Sequence, residues 1–290
     1  MADSNLVRRV VFAAVAIPLA LGLVWLGGWP MVAVVALVSA LGTRELFDLA
    51  RRQDIHAMRL LGIATAGLLP VLVYLALSRT DARAAVDAWW PYAAALWIIA
   101  LLTWALIARH PASKPLAAVA VTAFAVLYAG ALPAFFIDIR HSAHGLRSFG
   151  GTWLLFFPLV VIWICDTAAM FGGRAIGGPK LAPTVSPGKT RSGAVAGVLG
   201  GVLVAPIFGL WIFPAVGLDI PLGQLVAIAA LISTLGQVGD LAESLFKREV
   251  GVKDSSTLIP GHGGVLDRFD SLYFALPLTA ACYRLFGIIG

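Results

Sequence analysis

Long apolar runs broken by short polar segments set the pattern of this chain. Nine windows hold about the 20 apolar residues that a helix needs to cross roughly 30 Å of hydrocarbon. They lie near 7–26, 31–49, 59–77, 89–108, 115–136, 152–171, 193–213, 222–239 and 265–288. Lipid offers no partner to a bare N–H or C=O, so these spans are expected to be helices rather than irregular chain. The last two windows carry acidic residues at their ends. No repeat-length period appears and no linker is long enough to separate domains. The expected fold class is an all-α polytopic integral membrane protein. Residues 1–150 would form an N-terminal transmembrane region of about five helices, and 151–290 a C-terminal transmembrane region of about four helices with cytoplasmic polar loops.

Composition strengthens this picture. The chain is 60% hydrophobic and 12% charged, with a mean hydropathy of +0.92. A soluble domain carries about 25% charged residues, so this chain could not cover a water-facing surface of its own size. Its net charge of +6 then reads as Lys and Arg held near anionic lipid, not as a nucleic-acid footprint. With the N-terminus inside, 16 of the 21 Lys and Arg residues fall on the cytoplasmic side, and only Arg79, Arg83, Arg140, Arg147 and Arg284 fall outside. That bias predicts a cytoplasmic N-terminus and a periplasmic C-terminus. Arg8 and Arg9 precede an apolar run as in a signal peptide, but no A-x-A-like site ends it, so a retained first span is expected. Cys165 and Cys282 both sit in apolar runs and are expected to be small buried hydrophobes.

Two polar clusters interrupt the oil. The first, "VVIWICDTAAMFGGRAIGGPKLAPTVSPGKTRSG", begins inside a span. An Asp at a helix centre costs about 2.5–3.5 kcal/mol on insertion scales, so Asp166 needs a packing partner, a metal or an aqueous cavity. The glycines, prolines and cations that follow (Arg174, Lys180, Lys189, Arg191) could wrap phosphate or simply form a positive-inside loop. "GKT" is not a P-loop, since Pro183 stands where that motif needs Gly and neither its strand nor its soluble helix is present.

The second cluster runs from "GQVGDLAES" into "SLFKREVGVKDSSTLIPGHGGVLDRFD". If the eighth helix continues past Gly239, Asp240, Ser244 and Lys247 share one face. Asp267 and Asp270 share a face at the start of the ninth. Between them "IPGHGG" could expose N–H groups as an anion nest. Carboxylates from two helix ends around a Gly-rich, cation-lined loop suit Mg²⁺ and a nucleotide triphosphate. The structural alternatives are ion pairs from Asp267 or Asp270 to Arg268 or Lys253 and a turn-stabilising His262.

The second cluster resembles the signature of the phosphatidate cytidylyltransferases, also called CDP-diacylglycerol synthases. The matching residues are Ser244-x-Phe246-Lys247-Arg248, Lys253-Asp254-x-Ser256 and Ile259-Pro260-x-His262-Gly263-Gly264-Val265-x-Asp267-Arg268-Phe269-Asp270. The likeness extends upstream through Asp166 and "GGPKLAPTVSPGKT". It implies a multi-span bacterial inner-membrane enzyme that condenses CTP with phosphatidic acid, giving CDP-diacylglycerol and pyrophosphate with Mg²⁺. It further implies a homodimer, a metal centre on Asp240 and Asp267 with Asp270 close by, and a monovalent cation such as K⁺ at that centre. Asp240, Lys247, Asp267 and Asp270 become the catalytic candidates. Asp166, Lys180, Ser186, Lys189, Ser244, Arg248, Lys253, Asp254, His262, Gly263, Gly264 and Arg268 become substrate-binding candidates. One departure stands out: where the family often has "SPKKTWEG", this chain has Gly188 and Ser192, so the role of that Glu is not carried over.

The chemistry is consistent with such a site. A phosphomonoester is already ionised near neutral pH, with a second pKa near 6, so no strong general base is needed. Catalysis would then be positioning and charge neutralisation around the α-phosphorus. Two other readings are a CTP-dependent lipid kinase and an ion-coupled transporter using Asp166.

Overall fold

The structure, a computed structural model, describes residues 18–258 and 263–290. It is a helical bundle with one short hairpin. Residues 18–26 form α1, followed by α2 (Gly28–Arg51), α3 (Arg59–Ser78) and α4 (Thr80–Ala108). Then come α5 (Pro111–His141) and α6 (Phe149–Ile176), strands β1 (Lys180–Ala182) and β2 (Ser186–Thr190), α7 (Arg191–Ala215), α8 (Leu222–Glu249) and α9 (Leu266–Leu285). Seven of these, α2 to α8, are long and apolar enough to cross a membrane. The first expected span lies largely outside the described residues. The ninth is a helix, but Asp267, Arg268 and Asp270 in its first turns and Arg284 near its end make it less apolar than the rest.

Several helices outrun their hydropathy windows. α4 begins at Thr80, not near 89, and α8 continues to Glu249, not 239. Hydropathy marks only the apolar part of a helix, whereas hydrogen bonding carries it on through the polar interface. The 28 residues of α8 run about 42 Å at 1.5 Å each, well beyond ~30 Å of hydrocarbon. The surplus brings Asp240 to Glu249 out to the interface in helical register.

Small residues set the spacing around α6. Gly193, Gly197 and Gly201 recur every fourth residue on α7, and a Cβ on Gly197 would stand 3.0 Å from both Ala169 Cβ and the Cys165 carbonyl oxygen. A stripe of this kind lets helix backbones approach closely, the usual route to tight packing in lipid. α8 runs alongside α6 in the same direction. Cys165 Sγ donates to Ser233 O at 3.6 Å, and Gln237 Nε2 lies 3.6 Å from that sulfur. Both cysteines are free thiols, Cys165 buried and Cys282 partly so, in line with their expected role. Asp166 and Asp240 lie next to these contacts and are therefore neighbours.

At the hairpin, Lys180 pairs with Thr190 and Ala182 with Ser186, antiparallel. The loop expected there is thus a small sheet, anchored by Arg191 N donating to Pro179 O at 2.9 Å. Arg248 Nε reaches over from α8 to Val185 O at 3.1 Å. On the other flank, Glu45 of α2 bonds the chain between α8 and α9. One end of the bundle therefore gathers the polar segments. The buried core below draws on α1, α2, α5, α6, α7, α8 and α9 together.

Candidate active site

A cavity of about 710 Å³ opens at this end between α6, the hairpin, α7 and α8. Its charged and polar lining includes Asp166, Arg174, Lys180, Lys189, Gln237 and Asp240. Gly173, Gly177, Gly178, Gly188 and Gly193 line it as well and bring backbone within reach of a ligand. Gly177 and Gly178 have φ of +67° and +98°, a region that disfavours other residues, where the chain leaves α6 for the hairpin. Lys189 Nζ is 2.5 Å from Asp240 Oδ2, both side chains being a little over one quarter exposed. Ser244 Oγ donates to the other oxygen, Oδ1, at 3.3 Å. Asp166 is exposed to the cavity.

Asp270 stands close behind. A Cβ on Gly239 would come within 2.6 Å of the Asp270 carbonyl oxygen, so the start of α9 presses against α8 beside Asp240. The carboxylates of Asp166, Asp240 and Asp270 are near enough for their charges to interact. Among them Lys189 pairs with Asp240, while Arg174 and Lys180 also line the cavity, so its wall carries three cations beside Asp166 and Asp240.

The remaining acids are built differently. Asp267 Oδ1 accepts from Lys247 Nζ at 2.6 Å, and Oδ2 accepts from Gly264 N at 2.7 Å, Ser255 N at 2.8 Å and Ser255 Oγ at 2.8 Å. Lys247 also meets Glu243 Oε1 at 3.1 Å. The Lys247, Asp267 and Glu243 side chains are 8%, 5% and 0% exposed. Asp267 thus pairs with Lys247, not with Arg268 or Lys253, and neither it nor Lys247 lines the cavity. Of the Gly-rich stretch, residues 259–262 lie outside the described residues, while Gly264 N and the following Val265 N and Leu266 N are already engaged by Asp267 and Glu45.

The other candidates fall around these two clusters. Ser186 is half-buried in β2, Lys253, Asp254 and Arg268 are exposed, and Gly263 takes a φ of +80°. Arg248 is bound to Val185 O and Val252 O. His262 lies outside the described residues. Ser192 donates to Gly177 O and lies 3.0 Å from Thr190 Oγ1, so it ties the base of the hairpin. The sequence pattern does not single out Glu45 or Glu243. Glu45 looks like part of a charged helix end in "TRELFD", and Glu243 becomes legible only once α8 is known to continue.

No three His, Cys, Asp or Glu side chains among the described residues converge as a ready chelate. The oxygen donors of Asp166, Asp240 and Asp270 nonetheless fit Mg²⁺, which takes one or two carboxylates and leaves its other positions to phosphate and water.

Apolar helices long enough to cross a membrane, around a polar cavity lined by both acids and cations, define a membrane protein with a site suited to a charged ligand. The chain belongs to the cytidylyltransferase family, whose model matches residues 7–286. It is 34% identical over 279 residues to a phosphatidate cytidylyltransferase of Bacillus subtilis (strain 168), covering 96% of this chain and 98% of that one. A phosphatidate cytidylyltransferase of Synechocystis sp. is 33% identical over 298 residues, 94% of each chain. Another, of Brucella suis, reaches 48% over 152 residues, half of each chain. The kinase and transporter readings gain no support from these relatives.

Proposed function

We infer that this chain condenses CTP with phosphatidic acid to give CDP-diacylglycerol and pyrophosphate. The observation that carries the reading is the cavity itself, which sets Asp166 and Asp240 opposite Arg174, Lys180 and Lys189 at the polar end of an apolar bundle. An oxygen of the lipid phosphate attacks the α-phosphorus of CTP. The bond from that phosphorus to the bridging oxygen breaks, and its electron pair leaves with pyrophosphate. The nucleophile is already an anion, so the protein's work is to hold two polyanions together.

Arg174, Lys180 and Lys189 neutralise the phosphates from the hairpin side. Lys189 and Asp240 hold each other until a triphosphate competes for the ammonium. Gly177, Gly178 and Gly188 let phosphates approach the backbone. Arg248 clamps the hairpin to α8 and so fixes the mouth of the cavity. Lys247 and Asp267 act one layer back, holding the turn that starts α9. Mg²⁺, held by Asp240 with Asp270 and Asp166, would supply Lewis-acid neutralisation of the triphosphate. A K⁺ ion beside it and a homodimeric assembly are proposed on the family resemblance alone.

We propose that the site faces the cytoplasm of a bacterial inner membrane, with the C-terminus outside, on the strength of the Lys and Arg asymmetry. The lipid substrate accounts for the depth of the site: its head group sits at the interface while its tails stay in the bilayer. The test is purified protein in micelles with phosphatidic acid and CTP labelled at either the α- or the γ-phosphorus. The α label should enter the lipid fraction as CDP-diacylglycerol and the γ label should leave as pyrophosphate. A γ-labelled lipid would contradict cytidylyl transfer.

A further inference from the structure

Glu45, on α2, is 4% exposed and does not line the cavity, yet both of its oxygens are engaged. Oε1 accepts from Ser256 Oγ at 2.7 Å and Val265 N at 2.9 Å. Oε2 accepts from Ser255 Oγ at 3.0 Å and Leu266 N at 2.9 Å. The two backbone donors belong to the start of α9, where N–H groups have no partner within the helix and the dipole favours an anion. A carboxylate from the N-terminal region thus fills the anion site that the Gly-rich turn would otherwise offer to phosphate.

Gly264 makes this possible. A Cβ there would meet Ser255 Oγ at 2.0 Å and Glu45 Oε2 at 2.5 Å, so any larger residue would push the carboxylate off the turn. Ser255 Oγ has one proton and two carboxylates within reach, Glu45 at 3.0 Å and Asp267 at 2.8 Å. It links the Glu45 contact to the Asp267–Lys247 pair. Asp270 stands one turn further along the same helix, with its backbone against Gly239.

We propose that Glu45 is a positioning residue for the transfer reaction: it fixes where α9 begins, and through it where Asp270 stands beside Asp240. This rests on the cytidylyl-transfer reading above. Glu45→Gln keeps the shape but turns an NH₂ toward donors, so the turn should loosen without loss of the bundle. The experiment combines steady-state kinetics with hydrogen–deuterium exchange on the full-length protein in micelles. For Glu45→Gln, kcat should fall about tenfold or more, since small displacements of a reacting constellation cost that much. KM for CTP should stay within about threefold, as expected when ground-state binding is spared. Exchange should rise in the peptides spanning Ser255 to Leu266 and stay unchanged in α3 and α6. Glu45→Asp should recover part of kcat, and Ser256→Ala, which removes one donor, should lower it in the same direction. Wild-type kcat with a loosened turn would overturn the proposal, as would loosening spread evenly over the helices with unchanged kcat in the folded fraction. If Glu45→Gln does not fold, Ser256→Ala decides, and an unchanged kcat there would overturn the proposal. Absence of CDP-diacylglycerol from the wild type would instead sink the transfer reading, with the exchange result left intact.

Discussion

Asp240 and Glu243 are three residues apart on α8, yet they belong to opposite kinds of environment. Asp240 is 29% exposed, faces the cavity and pairs with a lysine that is 28% exposed. Glu243 is 0% exposed and, with Asp267, encloses a lysine that is itself only 8% exposed. The first cluster is partly solvated, lined by cations as well as acids, and open to a ligand. The second shares one ammonium between two buried carboxylates, and its backbone donors go to Asp267. A buried ion pair adds little net stability, but removing one member leaves an uncompensated charge. The contrast separates acids open to a ligand from acids that hold a turn in place, although both lie within one short polar stretch.

Substitutions can break or sharpen that contrast. Lys247→Met should have the largest effect, leaving Glu243 and Asp267 buried without a counter-charge at a cost of about 3–5 kcal/mol. The readout is the thermal unfolding of the micelle-purified protein, and a melting temperature near wild type would mean the cluster is not the staple described. Asp240→Asn should lower turnover 10²–10³-fold, about 2.7–4 kcal/mol of transition-state stabilisation. Its stability should shift by less than about 1 kcal/mol, because the pair with Lys189 is partly solvated. Lys189→Ala should raise KM for CTP about tenfold, near 1.4 kcal/mol of binding, as measured by initial rates at varied CTP. The smallest change is expected for Ser192→Ala. Loss of its bond to Gly177 O costs about 1 kcal/mol, and most activity should remain. A hundredfold loss with normal folding would give that hairpin position a catalytic role of its own.

Much of this contrast could be read in advance, but not all of it. Asp166 was visible because an acid inside an apolar run demands a reason. The shared face of Asp240, Ser244 and Lys247 followed from helical spacing alone. The split between open and saturated carboxylates did not, because it depends on which donors fold back onto each acid. Asp267 and Asp270 look equivalent at i and i+3, and the Lys247 pair with the turn through Ser255 and Gly264 distinguishes them. Glu45 was hidden for a related reason: its partners lie 210 or more residues away. The hairpin was obscured by Pro183 and Pro187, which read as loop punctuation. A two-stranded ladder this short leaves room for both.

The central claim is that metal-dependent chemistry belongs to the Asp240 side and loop support to the Asp267 side. The most direct measurement is turnover against Mg²⁺ concentration for Asp240→Asn and Asp267→Asn, each with its melting curve. The account predicts a wild-type melting temperature and collapsed turnover for Asp240→Asn. For Asp267→Asn it predicts a clearly lowered melting temperature, with the Mg²⁺ dependence of the remaining activity unshifted. An Asp267→Asn protein that melts like wild type but needs much more Mg²⁺ would contradict it.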